Sequence, residues 1–414
     1  MNYKIFLSVF IILALIINEF YYAQNKRAMW VWNSSNEVNN IVNNIGEYRK
    51  LLFEFCNSPH GNPQKKITHL FLGCSGAIYS YQNMLRNFLS EASDSGISVE
   101  YLDGDPSWAT YKQTNGIERI NKIVEFNENS TSDKEKFKGI QFDVEPYLLI
   151  KERGYQSPYW DVEKMSVWNS YVNYVDSCKK IIENSDSSLL FGIAIPRWYE
   201  NQVGLVELER LQEKVDYVAI MDYNENAVVI INDAENEIKN AGVLNKKVWI
   251  GVETQEISPE TVSFFEEGNS FMESQLDSTF SVYGNNEIFL GFAIHAYKYY
   301  RNLNENPTSV DYTNNFEKTN NFILFQNYPN PFNPSTTIKY TIMGEVNIQK
   351  TKVSKVVLKI YDALGNEIVT LINQYKNPGT YEINFDAGNL TSGVYFYRLQ
   401  VANYISTKKM FLIK

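Results

Sequence analysis

The chain has little of the two residue types that most often bind transition metals. Its 414 residues include 3 Cys (Cys56, Cys74 and Cys178) and 3 His (His60, His69 and His295). Three cysteines close at most one disulfide, so no disulfide framework carries the fold. A zinc site built on several imidazoles has too few ligands to draw on. Positive charge is also short. With 38 Lys and Arg against 48 Asp and Glu, the net charge is −10, and a phosphate backbone would be repelled. Nucleic acid is therefore not an expected partner. No G-x-G-x-x-G follows the first strand candidate, and no nucleophile elbow is present, which removes the usual dinucleotide and serine-hydrolase signatures. The sequence implies no cofactor and no metal.

Long apolar runs are limited to one. Lys4 precedes Ile5 to Ile17, interrupted only by Ser8, and Tyr22-Ala23-Gln24 follows. The run is short for a membrane span and suits the core of a signal peptide, so residues 1–23 are expected to be removed and the rest to be soluble. What remains is rich in aromatics, with 29 Tyr, 24 Phe and 7 Trp, and 44% of the chain is hydrophobic, ample for a large core.

From residue 28 to residue 300, short apolar runs alternate with longer amphipathic stretches. Eight strands are predicted: 28–33, 68–73, 98–103, 139–145, 189–196, 217–223, 247–253 and 289–295. Between them, residues 83–95 carry Met84, Leu85, Phe88, Leu89 and Ala92 at helical spacing, and 168–182 and 231–241 read similarly. Eight strand–helix units in about 270 residues predict an α/β fold, the closed (β/α)8 TIM barrel, over 24–305. An Asn- and Thr-rich linker, 306–321, follows. Beyond it the period changes to two over 337–342, 356–361, 381–385 and 394–401, with turn residues between, which predicts a small all-β, immunoglobulin-like sandwich over 322–414.

A barrel of this kind works at the carboxyl ends of its strands. The fourth strand reads Gly139-Ile140-Gln141-Phe142-Asp143-Val144-Glu145-Pro146. Alternation would turn Ile140, Phe142 and Val144 to the helices and Gln141, Asp143 and Glu145 to the barrel interior, each about 6–7 Å from the next. Two neighbouring acids on a buried face split their titrations, so one can hold a proton near neutral pH and give it to a leaving group. The sixth strand ends Met221-Asp222-Tyr223-Asn224, with Tyr223 facing the same interior and Asp222 and Asn224 as further substrate contacts. Asp103, Asp105 and Trp108 after the third strand, Arg197 and Trp198 after the fifth, Trp32 on the first and His295 on the eighth are candidates for binding hydroxyls or stacking on a sugar ring. Glu253 ends the seventh strand. If it lies about 5–5.5 Å from Glu145, the pair would act as nucleophile and acid/base with retention.

The fourth and sixth strands resemble family 18 glycoside hydrolases, the chitinase and endo-N-acetylglucosaminidase group. Asp143 and Glu145 match the last two acids of that family's fourth-strand motif, and Met221, Tyr223 and Asn224 match its Met-x-Tyr-Asp/Asn. Lys138 and Gln141 stand where its first two acids belong, and Ala293-Ile294-His295-Ala296-Tyr297 replaces its eighth-strand Trp. The resemblance implies Glu145 as general acid, with Asp143 and Tyr223 orienting a substrate acetamido group that attacks the anomeric carbon. The C-terminal segment resembles the sorting domain of the type IX secretion system. The matching pieces are Asn327-Tyr328-Pro329-Asn330-Pro331-Phe332-Asn333-Pro334, then Ile360 to Gly365, then Leu390 to Leu399, then Lys408 to Lys414. This resemblance implies export through the periplasm and outer membrane to the surface or medium, with the secretion machinery as a partner. The expected protein is thus a monomeric, secreted glycoside hydrolase acting on a polysaccharide or glycan. The competing class is a non-catalytic carbohydrate-binding barrel.

Overall fold

The computed structural model describes residues 26–185, 188–305, 322–324, 327, 329–342, 353–362, 365–377, 379–401 and 404–413. The signal peptide (1–23) and the linker (306–321) expected from the sequence lie outside the described residues. The chain divides into two units, Met1–Thr308 and Ser309–Lys414.

The first unit is a closed barrel of eight parallel strands in sequential order: β1 (Lys26–Val31), β2 (His69–Leu72), β3 (Ser98–Asp103), β4 (Gly139–Phe142), β5 (Leu190–Pro196), β6 (Tyr217–Met221), β7 (Lys247–Glu253) and β8 (Phe289–His295). β1 pairs with β8 to close it. Helices such as Gln82–Asp94, Gln113–Glu128, Trp160–Ser185 and Ala227–Leu244 cover the outside. The last of these starts where the Asn226 side chain accepts a hydrogen bond from the Val228 amide (2.9 Å), an N-cap that fixes the chain soon after β6.

Strand alternation decides what fills the barrel. Trp30, Phe71, Tyr217 and Trp249 point inward and pack together with Ala28, Ala219 and Ala293. Such rings fit only where the neighbouring strand carries no side chain. A Cβ at Gly192 would lie 2.0 Å from the Tyr217 ring, and one at Gly251 would lie 2.9 Å from Trp30. Two buried polar pairs lie in the same interior: Tyr217 donates to Glu100 (2.6 Å), and the Trp30 indole N–H donates to Gln141 Oε1 (2.5 Å). Burial holds Glu100 protonated up to about 7, although the Tyr217 bond pulls the other way.

The second unit is all-β. Strands β9 (Phe322–Leu324), β10 (Ser335–Ile342) and β13 (Gly379–Asp386) form one antiparallel sheet. Strands β11 (Ser354–Tyr361), β12 (Glu367–Lys376), β14 (Gly393–Val401) and β15 (Tyr404–Leu412) form the other. Inward residues of both, among them Ile338, Tyr340, Leu358, Ile360, Tyr397 and Leu399, share one core, as in a sandwich.

Candidate active site

At the carboxyl end of the barrel, Asp143, Glu145, Tyr147, Arg197, Trp198, Tyr223 and His295 line a cavity of about 410 Å³. β4 stops at Phe142, earlier than the sequence suggests, so both acids sit just past the strand rather than on it. The turn begins at Asp143, whose amide donates to the Asp103 carbonyl (2.9 Å). Its backbone lies so close to Gly104 that a Cβ there would fall 2.0 Å from the Asp143 carbonyl oxygen. Glu145 then caps the short turn Pro146–Leu148, its carbonyl accepting from the Leu148 amide (2.9 Å).

The electrostatics of the two acids differ. Burial pushes Asp143 up to about 6, against a downward pull from His295. Its Oδ1 is buried without a hydrogen-bond partner. Glu145 goes higher, to about 8, raised first by burial and then by the Asp143 charge, with Arg153 opposing. The Tyr147 hydroxyl donates to Glu145 Oε2, which leaves the other carboxyl oxygen available for the proton. The Tyr147 ring stands on edge to Trp198, 4.7 Å between centroids. Together they make an aromatic wall. The sequence gave no site role to Tyr147, although an aromatic two residues past an acid and just after Pro146 was a usable signal. The loop residues Ser258, Pro259 and Val262, which also line the cavity, carry no such signal.

Tyr223 lines the cavity with its ring 5.9 Å from that of His295, and burial raises its hydroxyl well above the ordinary tyrosine range. His295 is held at both nitrogens. Its Nδ1 lies 2.9 Å from Glu253 Oε2, and its Nε2 lies 3.2 Å from the Trp32 indole nitrogen. An indole N–H only donates, so Nε2 accepts and Nδ1–H donates to Glu253. The other Glu253 oxygen accepts from the amides of Thr254 and Gln255, both at 2.8 Å. Glu253 is 3% exposed and is not among the cavity residues. Arg197 is in the wall, paired with Asp233 of the Ala227–Leu244 helix.

Six expectations for substrate contacts are corrected. Asp103 is on the outward face of β3, where it accepts from Tyr101 (2.7 Å) and pairs with Arg119 (3.1 Å). Asp105 caps the turn Pro106–Ala109 by accepting from the Ser107 amide (2.8 Å). Trp108 is buried and packs on Phe142, 5.3 Å between centroids, so it offers no open face. Gln141 is fully buried one layer below the cavity, holding Trp30. Asp222 takes the outward parity of β6 and is fully buried, its carboxyl pushed well up by burial and by Asp233. Asn224 spends its Oδ1 on the Asn226 amide (2.9 Å), a local turn contact.

The first unit is thus a (β/α)8 barrel with a carboxylate pair and aromatic side chains at its catalytic end, a layout open to many chemistries. Residues 326–414 match the family described as "Secretion system C-terminal sorting domain". That tail marks export by type IX secretion to the cell surface or the medium. No curated protein matches the chain. Among solved structures, it is similar to a calcium-binding mutant of Bacteroides uniformis β-glucuronidase 2, at 11% identity over 94% of this chain and 45% of that one, TM-score 0.44. It is also similar to a mutant of P. fluorescens subsp. cellulosa xylanase A in complex with xylopentaose, at 12% identity over 66% of this chain and 86% of that one, TM-score 0.41. An engineered protein shows 11% identity over 83% of this chain and 86% of that one, TM-score 0.37. The chain spans about half the length of the B. uniformis glucuronidase it matches.

Proposed function

We propose that this protein is a secreted glycoside hydrolase in which Glu145 is the general acid. The observation that carries the reading is the unequal carboxyl pair. Glu145, pushed up to about 8 beside Asp143, keeps its proton at neutral pH inside a cavity with an aromatic wall. A group in that state can protonate a glycosidic oxygen as the bond to the anomeric carbon breaks. Trp198 and Tyr147 offer ring faces for a pyranose.

Glu253 does not fit the part of nucleophile. It lies outside the cavity wall, and its two oxygens are engaged by two amides and His295. This supports attack by the substrate's own acetamido oxygen, with Asp143 and Tyr223 holding that group. The C–O bond to the leaving sugar breaks, the acetamido oxygen bonds to the anomeric carbon, and the Glu145 proton leaves with the departing oxygen. Water then opens the ring formed, returning a proton to Glu145.

Glu145→Gln keeps the shape and removes the proton. On N-acetylglucosamine oligosaccharides that the wild type cleaves, turnover is expected to fall about 10²–10⁴-fold while binding survives. Unchanged hydrolysis by Glu145→Gln overturns the assignment. Binding by the wild type without cleavage of any glycan makes the barrel a carbohydrate-binding module instead.

A further inference from the structure

A second cavity opens on the far side of His295. It holds about 280 Å³ and is lined by Trp32, Ser34, Gln255, Tyr299 and Lys298, with His295 as a shared wall. The two cavities are built from different parts of the barrel. The first rests on the segments after β4, β5, β6 and β7. The second rests on the ends of β1 and β8 and on Gln255 after β7. The partition between them is fixed, because His295 is held by Glu253 on one nitrogen and by Trp32 on the other.

The lining of the second cavity has the chemistry of a sugar site. Trp32 and Tyr299 are only partly buried and pack on the aromatic barrel core, so they are anchored rings with open area. Lys298 Nζ lies 5.3 Å over the Tyr299 ring, and Gln255 brings an amide, so donors for hydroxyl or carbonyl oxygens surround the aromatic surface. Glu37, the acid in this lining, is neutralised by Arg301. The volume is near the lower end of small-molecule pockets, about 300 Å³, which suits one ring rather than a chain.

We propose that this cavity is a second sugar subsite, so that the substrate is an oligosaccharide passing His295 with consecutive units in the two cavities. The proposal rests on the glycosidase reading of the first cavity. It makes the protein a chain-cleaving enzyme that is poor on single-unit aryl glycosides, since half of its binding surface would then stay empty.

Binding tests the proposal without turnover. The full-length protein carrying Glu145→Gln is titrated calorimetrically with β-1,4-linked N-acetylglucosamine oligosaccharides of two to six units. Affinity is expected to tighten at least tenfold between the shortest chain and one long enough to fill both cavities. Adding Tyr299→Ala should erase most of that gain, so the ratio of long-chain to short-chain affinity collapses. Retention of the ratio by Tyr299→Phe, which keeps the ring, assigns the effect to stacking. Affinity independent of chain length overturns the subsite, as does a Tyr299→Ala loss equal at every length. Failure of all lengths to bind overturns the subsite and the glycosidase reading together. Length-dependent binding with no cleavage by the wild type leaves the subsite standing and removes the enzyme.

Discussion

Glu145 can be tested before any substrate is known, because its held proton is a stability term. An ordinary glutamate ionises near 4.5, whereas burial and Asp143 push this one up to about 8. Between those values the native protein binds a proton that the unfolded chain has released. Stability therefore falls as pH rises through that window and levels off above about 8, where the native group ionises too. Each pH unit of the window corresponds to at most 1.36 kcal/mol. The window spans between three and four of them, which bounds the loss near 5 kcal/mol, and solvent at the cavity mouth reduces it to about 2–4 kcal/mol. Glu145→Gln carries no such proton. The variant should be close to the wild type at pH 5 and more stable by that amount at pH 9. For a unit of this size 1 kcal/mol shifts Tm by about 2 °C, so the gap should open by ~4–8 °C. Thermal unfolding of the barrel, followed by tryptophan fluorescence from pH 5 to 9, reads it directly. A gap that stays flat or closes with rising pH refutes the claim that Glu145 is held protonated.

Two further outcomes follow from other parts of the molecule. Gly104→Ala places a methyl group against the Asp143 carbonyl, where only 2.0 Å is available, so the turn carrying the acids must move. Hydrolysis is expected to fall at least tenfold, with a stability loss of about 1–3 kcal/mol measured by urea denaturation; wild-type activity in that variant would show that the turn is not held as described. Deleting residues 322–414 removes the sorting domain and should trap the protein in the periplasm, visible by immunoblot of cell fractions, and normal export of the truncated chain would exclude a sorting role for the tail.

The barrel was legible because its strands are buried on both faces and therefore read as compact apolar runs between amphipathic helices. β3, β7 and β8 match the sequence reading end to end. β4 and β6 end earlier than read, at Phe142 and Met221, because the acidic and aromatic residues beyond them look like strand continuation by alternation alone. The sandwich was read in part. β12 went unseen because it is exposed along most of its length, so no alternation marks it. β15, with Ser406, Thr407, Lys408 and Lys409 in its middle, likewise lacks a clean period-two pattern.

The site candidates sort by the same alternation. Asp143, Tyr223, His295 and Trp32 share the inward parity of their strands, and all four reach a cavity. Asp103 and Asp222 have the outward parity, and both are used against the helices. Counting from the inward aromatic anchors, Trp30 on β1 and Tyr217 on β6, would have excluded Asp222 from the sequence alone. It would also have placed Gln141 one layer too deep to touch a ligand, since it is level with the Trp30 ring it binds. Parity does not separate Glu253 from the site, because Glu253 faces inward too. What removes it is local backbone geometry: the chain turns at Thr254 and Gln255 so that two amides converge on one carboxyl oxygen. No spacing rule reports such a turn. An acid at the end of a barrel strand thus has two fates, open to the cavity with a proton to give, or closed by its own backbone to hold a neighbour in place. Glu145 and Glu253 take one each.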